Sequence, residues 1–326
     1  MREPLIWPDF KSSWAQLLME HLQDKRRHGF SYQREVYHLL QLDRLIESSG
    51  IDDIVLTEDI VSEWLSSTLH RSPSTHRKRV IAIRQLVKFM QRQGLEAQLP
   101  PLPMSPRKEL GSKARIFSVN EISRILNAAD ELPVIAHSPL RHRVVPELIR
   151  VLYGCGLRVG EACRLTVSDV DLNEGVLTIK QGKFNRDRLV PITPGLLHRL
   201  NIYTQFLHKT DADDCFFPSP RGQYVPRSIY EIFRELLASA GIEHGGRGQG
   251  PRLHELRHSF AVRKLESWYH SGEDLNAKLP LLAAYLGHKS LVGTQAYLQL
   301  TQALHTDIAD KLESIYGFVI PLDCSS

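Results

Sequence analysis

Tyr297 is the residue of this chain whose surroundings are most specific for chemistry. It stands nine residues after His288, beyond a Gly287-His288 pair that closes the apolar helical run Leu281 to Leu286. A phenol is a weak nucleophile, with an ordinary pKa of about 10. It becomes useful where cations stabilise its phenolate and the charge growing on the centre it attacks. Four local patterns supply the partners. Gly154-Cys155-Gly156-Leu157-Arg158 sets an arginine after two glycines that allow a turn, with Glu161 three residues on to hold the guanidinium. Lys183 stands in Gly182-Lys183-Phe184-Asn185-Arg186-Asp187-Arg188. His254-Glu255-Leu256-Arg257-His258 places His254 and Arg257 at i and i+3, on one helical face. His288 completes the set. Taken singly, each has a plainer explanation: a half-buried tyrosine, a surface ion pair, an exposed turn lysine, a helix cap. Jointly, and in this order, they supply what a tyrosine needs to attack a phosphodiester.

The elements that must position these residues are mostly helical. Over the first hundred residues, Trp14 to Leu22, Tyr32 to Ile46, Thr57 to Leu69 and Ser74 to Gln93 each show apolar residues at helical spacing, with breaks near Gly29 and Gly50. The fourth run is two-faced. Val80, Ile83, Val87 and Met90 share one side, Arg77, Arg84, Lys88 and Arg92 another, and no acid occurs between Glu63 and Glu96. A basic face without interspersed acids suits a row of phosphates better than a salt-laced solvent face. The proline-rich stretch from Leu99, continuing through Lys113 to Phe117, reads as an extended basic linker. Helix resumes at Ser118-Val119-Asn120-Glu121, a capping box. Val144 to Tyr153 is helical up to Gly154, and a short helix begins around Arg158. Val176 to Lys180 and Arg188 to Ile192 read as a hairpin joined by Gln181 to Asp187, which carries Lys183. Helices follow from Pro194, Arg227, His254, Leu275 and Leu291, and a last one spans Thr301 to Tyr316.

Composition bounds the class. With 42% hydrophobic and 24% charged residues the chain reads as a globular protein with room for two domains. The start lacks the apolar core of a signal peptide and no run approaches a membrane span. The four cysteines (Cys155, Cys163, Cys215, Cys324) have neither CxxC spacing nor a disulfide framework, so reduced thiols and a cytoplasmic location are expected. The net charge of +4 lies wholly within residues 1–115, with 18 Lys and Arg against 14 Asp and Glu; the remainder balances at 23 each. That asymmetry points to an acidic partner for the first third.

The order Arg158, Lys183, His254-x-x-Arg257, His288, Tyr297 resembles the signature of the tyrosine recombinases, the phage-integrase and Xer family. The local words agree: Tyr153-Gly154-Cys155-Gly156-Leu157-Arg158-x-x-Glu161, His254-x-Leu256-Arg257-His258-Ser259-Phe260-Ala261, and Leu286-Gly287-His288 followed by Thr294-Gln295-x-Tyr297. The match covers essentially 118–300. Two departures stand out: a long span from Arg257 to His288, with Glu266 to Asp274 extending a helix or loop, and no glycine after Lys183. Arg186 and Arg188 lie close enough to leave the hairpin cation open among the three.

The resemblance implies a mainly α fold with a small β-hairpin, closing as a C-shaped clamp around DNA. It divides the chain into a helical core-binding domain (1–98), a linker (99–117), a catalytic domain (118–300) and a C-terminal helix and tail (301–326) that can dock on a neighbouring subunit or pack in cis. It implies a site-specific recombinase that cuts and rejoins DNA through a 3′-phosphotyrosyl link at Tyr297, for integration, excision or transposition of a mobile element. Arg158 and Arg257 then hold the non-bridging oxygens, His288 donates to the phosphate, His254 moves the proton of the nucleophile, and Lys183 protonates the leaving 5′ oxygen. Glu161 orients Arg158. Arg77, Arg84, Lys88, Arg92, Lys113 and Arg186 become the candidate DNA contacts. The implied partners are double-stranded DNA with inverted-repeat sites and further copies of the chain, a dimer per site and a tetramer in synapsis. No cofactor, metal or membrane is implied. Two alternatives use the same scaffold: a type IB topoisomerase-like enzyme and a non-catalytic DNA-binding regulator.

Overall fold

A computed structural model describes residues 7–66, 73–97, 115–180, 187–207, 211–246, 250–288, 291–295 and 297–298. Lys113, Lys183, Arg186, the greater part of the linker and the segment 301–326 lie outside the described residues. The chain divides into two compact units, Met1–Ser112 and Lys113–Ser326.

The first unit is built from α1 (Ala15–Arg27), α2 (Gln33–Ser48), α3 (Glu58–Ser66) and α4 (Pro73–Arg92). Their apolar stripes meet in one core around Trp14, Leu18, Leu42, Ile46, Trp64, Ile83 and Leu86. Each such side chain, fully buried, contributes about 2 kcal/mol of transfer free energy. A buried carboxylate pins the entry to α1: Asp43 on α2 accepts from the Ser12 hydroxyl at 2.7 Å and from the backbone N–H groups of Lys11 and Ser12. On α4, Arg79 is not part of the basic face; it is buried and donates to the Trp64 carbonyl and to Gln41.

The second unit opens with α5 (Val119–Asp130), whose start is the expected capping box. Glu121 N–H donates to Ser118 Oγ at 3.1 Å and Ser118 N–H to Glu121 Oε2 at 2.8 Å. Then come α6 (Arg141–Gly154), α7 (Val159–Cys163), β1 (Val170–Asp171), β2 (Val176–Ile179), β3 (Arg188–Pro191), α8 (Pro194–Thr204), β4 (Pro218–Ser219), β5 (Gly222–Gln223), α9 (Pro226–Ser239), α10 (His254–His270), α11 (Leu275–Leu286) and α12 (Val292–Gln295). The fold is mainly α, with small sheets. The hairpin of β2 and β3 is antiparallel, pairing Val176 with Pro191 and Ile179 with Arg188. Two features go beyond the pattern read from the chain. β1 adds a third strand to the hairpin, and β4 pairs with β5 in a two-residue ladder. Both are too short to show an alternating pattern, so pairing rather than periodicity reveals them. The helix before Gly154 begins at Arg141, ahead of the expected Val144. The long span after Arg257 is taken up by α10 running on to His270.

Candidate active site

Three arginines from distant parts of the second unit converge on the last turn of α11. Arg188 Nε donates to the Tyr285 carbonyl at 2.8 Å, Arg257 Nη2 to the Leu286 carbonyl and Arg158 Nη2 to the Gly287 carbonyl at 3.1 Å. The final carbonyls of a helix lack intrahelical partners and carry the negative end of its dipole, so they are natural anchors for guanidiniums. Gly287 makes the anchor possible. It caps α11 with φ +66°, letting the His288 N–H reach back to the Ala283 carbonyl at 2.9 Å. A Cβ on Gly287 would also press within 3.1 Å of the Arg188 guanidinium. Gly156 is constrained in the same way: at φ +59°, a Cβ would stand 2.5 Å from the Phe260 ring. Its carbonyl accepts from Arg257 Nη1 at 2.6 Å, which ties the α6–α7 turn to α10.

One carboxylate serves this cluster. Buried Glu161 accepts from Arg158 Nη1 at 2.7 Å, from Arg188 Nη2 at 2.8 Å and from the Arg158 N–H at 3.0 Å. Burial alone would raise its pKa. Hydrogen bonding to Arg188, the Arg188 charge and the Arg158 contacts outweigh that and hold it down at about 2. Among the described residues, three guanidiniums against one carboxylate leave an excess of positive charge in a largely buried site. Burial, then the Arg158 charge, lowers even Arg257 to about 10, so it stays protonated at neutral pH. Glu161→Ala should cost about 3 kcal/mol of stability, since it strands Arg188 without a counter-charge; a lowered urea midpoint reads this out. The sign with pH follows from the depressed pKa. The carboxylate's contribution is complete above its ordinary 4.5 and is lost as the pH falls towards about 2.

Tyr297 lies beside this cluster, 4% exposed, with its backbone N–H on the Thr294 carbonyl at 3.0 Å. Its hydroxyl is 3.1 Å from His258 Nδ1. Burial raises the phenol pKa, while the charge and hydrogen bonding of Arg257, and then the Arg158 charge, pull it back down. His288 stacks on the Tyr297 ring with centroids 6.0 Å apart, and its Nδ1 lies 2.8 Å from Thr294 Oγ1. Burial, followed by the charges of Arg257 and Arg158, lowers His288 to about 4, so its imidazole is neutral at pH 7. When the Thr294 hydroxyl donates to Nδ1, the Nε2–H is left as a donor. His254 stands at the exposed start of α10, its ring 4.5 Å from that of His258. Desolvation, His258 and nearby arginines hold it, too, in the neutral form.

The structure thus brings together Arg158, Glu161, His254, Arg257, His288 and Tyr297 within the second unit. Arg77, Arg84, Lys88 and Arg92 lie on α4 of the first unit, where Lys88 and Arg92 are exposed. Arg92 is paired with Asp24 at 3.0 Å, which neutralises part of that face. Three residues named in or beside the motifs hold places that the motif reading did not give them. Arg188 is the second guanidinium on Glu161, His258 is the imidazole on the tyrosine, and Thr294 fixes His288. The signal for His258 was present, four residues after His254 and so on the same face of the helix. For Arg188 only the pairing of β3 could show it. Among the described residues no group of three or more His, Cys, Asp or Glu is placed to hold a metal. No described helix is long and apolar enough to cross a membrane.

The model of the phage integrase family matches residues 115–303. The chain is 29% identical over 308 residues to y4rB of Sinorhizobium fredii, named as an integrase/recombinase, covering 93% of this chain and 98% of that one. It is 32% identical over 194 residues to the tyrosine recombinase XerA of Pyrococcus furiosus, covering 57% and 60% of the two chains. Among solved structures it resembles the XerH site-specific recombinase bound to palindromic difH substrate in a post-cleavage complex, with TM-score 0.64 and 18% identity over 92% of this chain and 88% of that one. It also resembles a lambda integrase dimer bound to a COC′ core site, with TM-score 0.61 and 16% identity over 85% and 95%. At these identities the two structures speak for the fold.

Proposed function

The chain belongs to the phage integrase family of tyrosine recombinases, enzymes of site-specific DNA cleavage and rejoining, and on that premise we propose that Tyr297 is its nucleophile and a 3′-phosphotyrosyl link its intermediate. The observation that carries this reading is the excess of guanidinium charge gathered beside a tyrosine hydroxyl that already has an imidazole on it. Tyr297 Oη attacks the scissile phosphorus, the P–O5′ bond breaks, and the phosphoryl group remains on the phenol with a free 5′-hydroxyl. Bond energy is conserved, so attack by another 5′-hydroxyl reverses the step without a nucleotide cofactor.

Arg158 and Arg257 stabilise the charge on the non-bridging oxygens, as fixed, permanently charged forks suit. Arg188 holds Glu161, which in turn holds Arg158. His288 donates to the phosphate through Nε2–H. The proton of Tyr297 passes to His258 Nδ1, the closest imidazole, with His254 behind it. Lys183 protonates the leaving 5′ oxygen. His258→Ala should therefore lower kcat on a cleavable substrate by about 10²-fold or more with little change in KM. It should also shift the pH–rate profile, whereas His254→Ala should move the profile less. Equal profiles for both variants would remove His258 from the proton path.

The expected substrate is double-stranded DNA carrying inverted-repeat sites, bound as a dimer per site and a tetramer in synapsis, in the cytoplasm, and serving the movement of a mobile element. The first unit is the core-binding domain and lies on the backbone through the basic face of α4, while the segment 301–326 docks on a neighbouring subunit. Arg84→Ala with Lys88→Ala should flatten the salt dependence of duplex binding by roughly 0.9 of a unit of slope for each phosphate left without its cation. An unchanged slope would put both side chains off the DNA. The experiment that tests the reading as a whole is a suicide duplex, nicked beside the cleavage point so that the short product diffuses away, incubated with the protein and run on a denaturing gel.

A further inference from the structure

The device that holds Arg158 occurs a second time in the catalytic unit. At the start of α7, the Arg158 N–H donates to Glu161 Oε2 at 3.0 Å and Nη1 to Oε1 at 2.7 Å. At the start of α10, the Arg252 N–H donates to Glu255 Oε2 at 2.7 Å, and Nε and Nη2 donate to Oε1 at 2.9 and 2.7 Å. The spacing is i, i+3 in both, and both carboxylates are buried, Glu161 at 4% and Glu255 at 3% exposed. In each case one glutamate grips both the backbone and the side chain of the arginine before it. The guanidinium is thereby aimed, not left to sample rotamers.

What differs is accessibility. The Arg252 side chain is 54% exposed, against 24% for Arg158. Glu255 occupies two of its five N–H groups, leaving three on the open side of the fork. A solvated arginine on a helix needs no buried carboxylate to hold it, and burying that carboxylate costs desolvation. Fixing an exposed fork is worthwhile where the fork has a ligand. Arg252 is two residues before His254, itself an exposed residue. Its charge is felt by His258, after burial and Glu255, and by His254, after burial, His258, Arg257 and Arg158. The fork is therefore within electrostatic reach of the imidazole pair.

We propose that Arg252 binds a DNA backbone phosphate neighbouring the scissile one, presenting its free N–H groups bidentately while Glu255 holds it from behind. The ligand class rests on the recombinase reading above. Planar guanidinium matches the geometry of two phosphate oxygens, and such contacts set the register of the strand without reading its bases. Arg252 is a positioning residue: it would seat the strand so that the scissile phosphate meets Arg158, Arg257 and Tyr297.

The test uses the full chain and a fluorescein-labelled 30-base-pair duplex of mixed sequence, titrated between 50 and 200 mM KCl. The key variant is the double substitution Arg252→Gln with Glu255→Gln. It leaves the net charge unchanged and no carboxylate stranded, so long-range attraction and folding are preserved. Freeing one phosphate should reduce the slope of log K against log salt by about 0.9, so that the variant forfeits about 3.5-fold less affinity than the wild type over that range. A partly unfolded protein would bind less at every salt concentration with the slope retained. If the wild type binds the duplex and the double variant keeps the same slope, the Arg252 site is refuted. If Arg252→Lys, which keeps the charge, retains the slope while the double variant loses it, the contact is supported as a charge contact at that position. A wild type that failed to bind the duplex would overturn the recombinase reading and this inference together. A wild type that binds but forms no adduct on the suicide duplex would overturn the former and leave the slope test to judge Arg252.

Discussion

Tyr297→Phe should form no denaturant-resistant DNA adduct on the nicked suicide duplex, while its binding to that duplex stays close to wild type. The substitution removes one oxygen and keeps the ring, which is what packs here: Tyr297 is 4% exposed and stacks on His288. It removes the hydroxyl's hydrogen bonding to His258 Nδ1 and to Arg257, at a cost to stability of about 1 to 3 kcal/mol. That is small beside the loss of every covalent event. The arginines stay on the α11 carbonyls, so the site keeps its attraction for phosphate and binding survives. The measurement is a shifted protein band on a denaturing gel, read alongside a mobility shift under native conditions. An adduct formed by the phenylalanine variant would place the nucleophile on another residue and end the reading.

Lys183→Ala should be slowed by about 10²- to 10⁴-fold on ordinary DNA, the range that general acids supply, and largely restored on a bridging 5′-phosphorothiolate. An alkoxide is a poor leaving group because its conjugate acid is weak, so the departing 5′ oxygen depends on a proton donor. A thiolate leaves with little help. Arg158→Ala should be slow on both substrates, because its charge is needed on the non-bridging oxygens whichever atom departs. In the sequence Lys183 falls between β2 and β3, and Arg188 at the start of β3 is held by Glu161 and the Tyr285 carbonyl. That anchors one end of the segment carrying Lys183. Rescue of Arg186→Ala, with none for Lys183→Ala, would transfer the acid to a group governed by Arg186. Such a result would run against the chemistry of a guanidinium, which is a very weak acid.

Much of the chemistry was legible in the chain because it depends on short-range spacing. His254 and Arg257 share a face of α10 by helical geometry alone, Ser118 and Glu121 cap α5, and Gly156 and Gly287 mark the turns before Arg158 and His288. The two-faced pattern of α4 was likewise written in its period, although burial of Arg79 and the Arg92–Asp24 pair depended on what α3 and α1 place nearby. Periodicity states which residues share a face. It does not state what that face meets. Only the tertiary structure decided that Arg158, Arg188 and Arg257, from three separate elements, would share the carbonyls of one helix end. It alone set Glu161 between two of them and put His258, not His254, against the tyrosine hydroxyl. Those outcomes rest on hydrogen bonds between residues far apart in the chain. A buried guanidinium must find acceptors wherever the packing offers them, and the packing is settled by the whole core, not by any local run of residues.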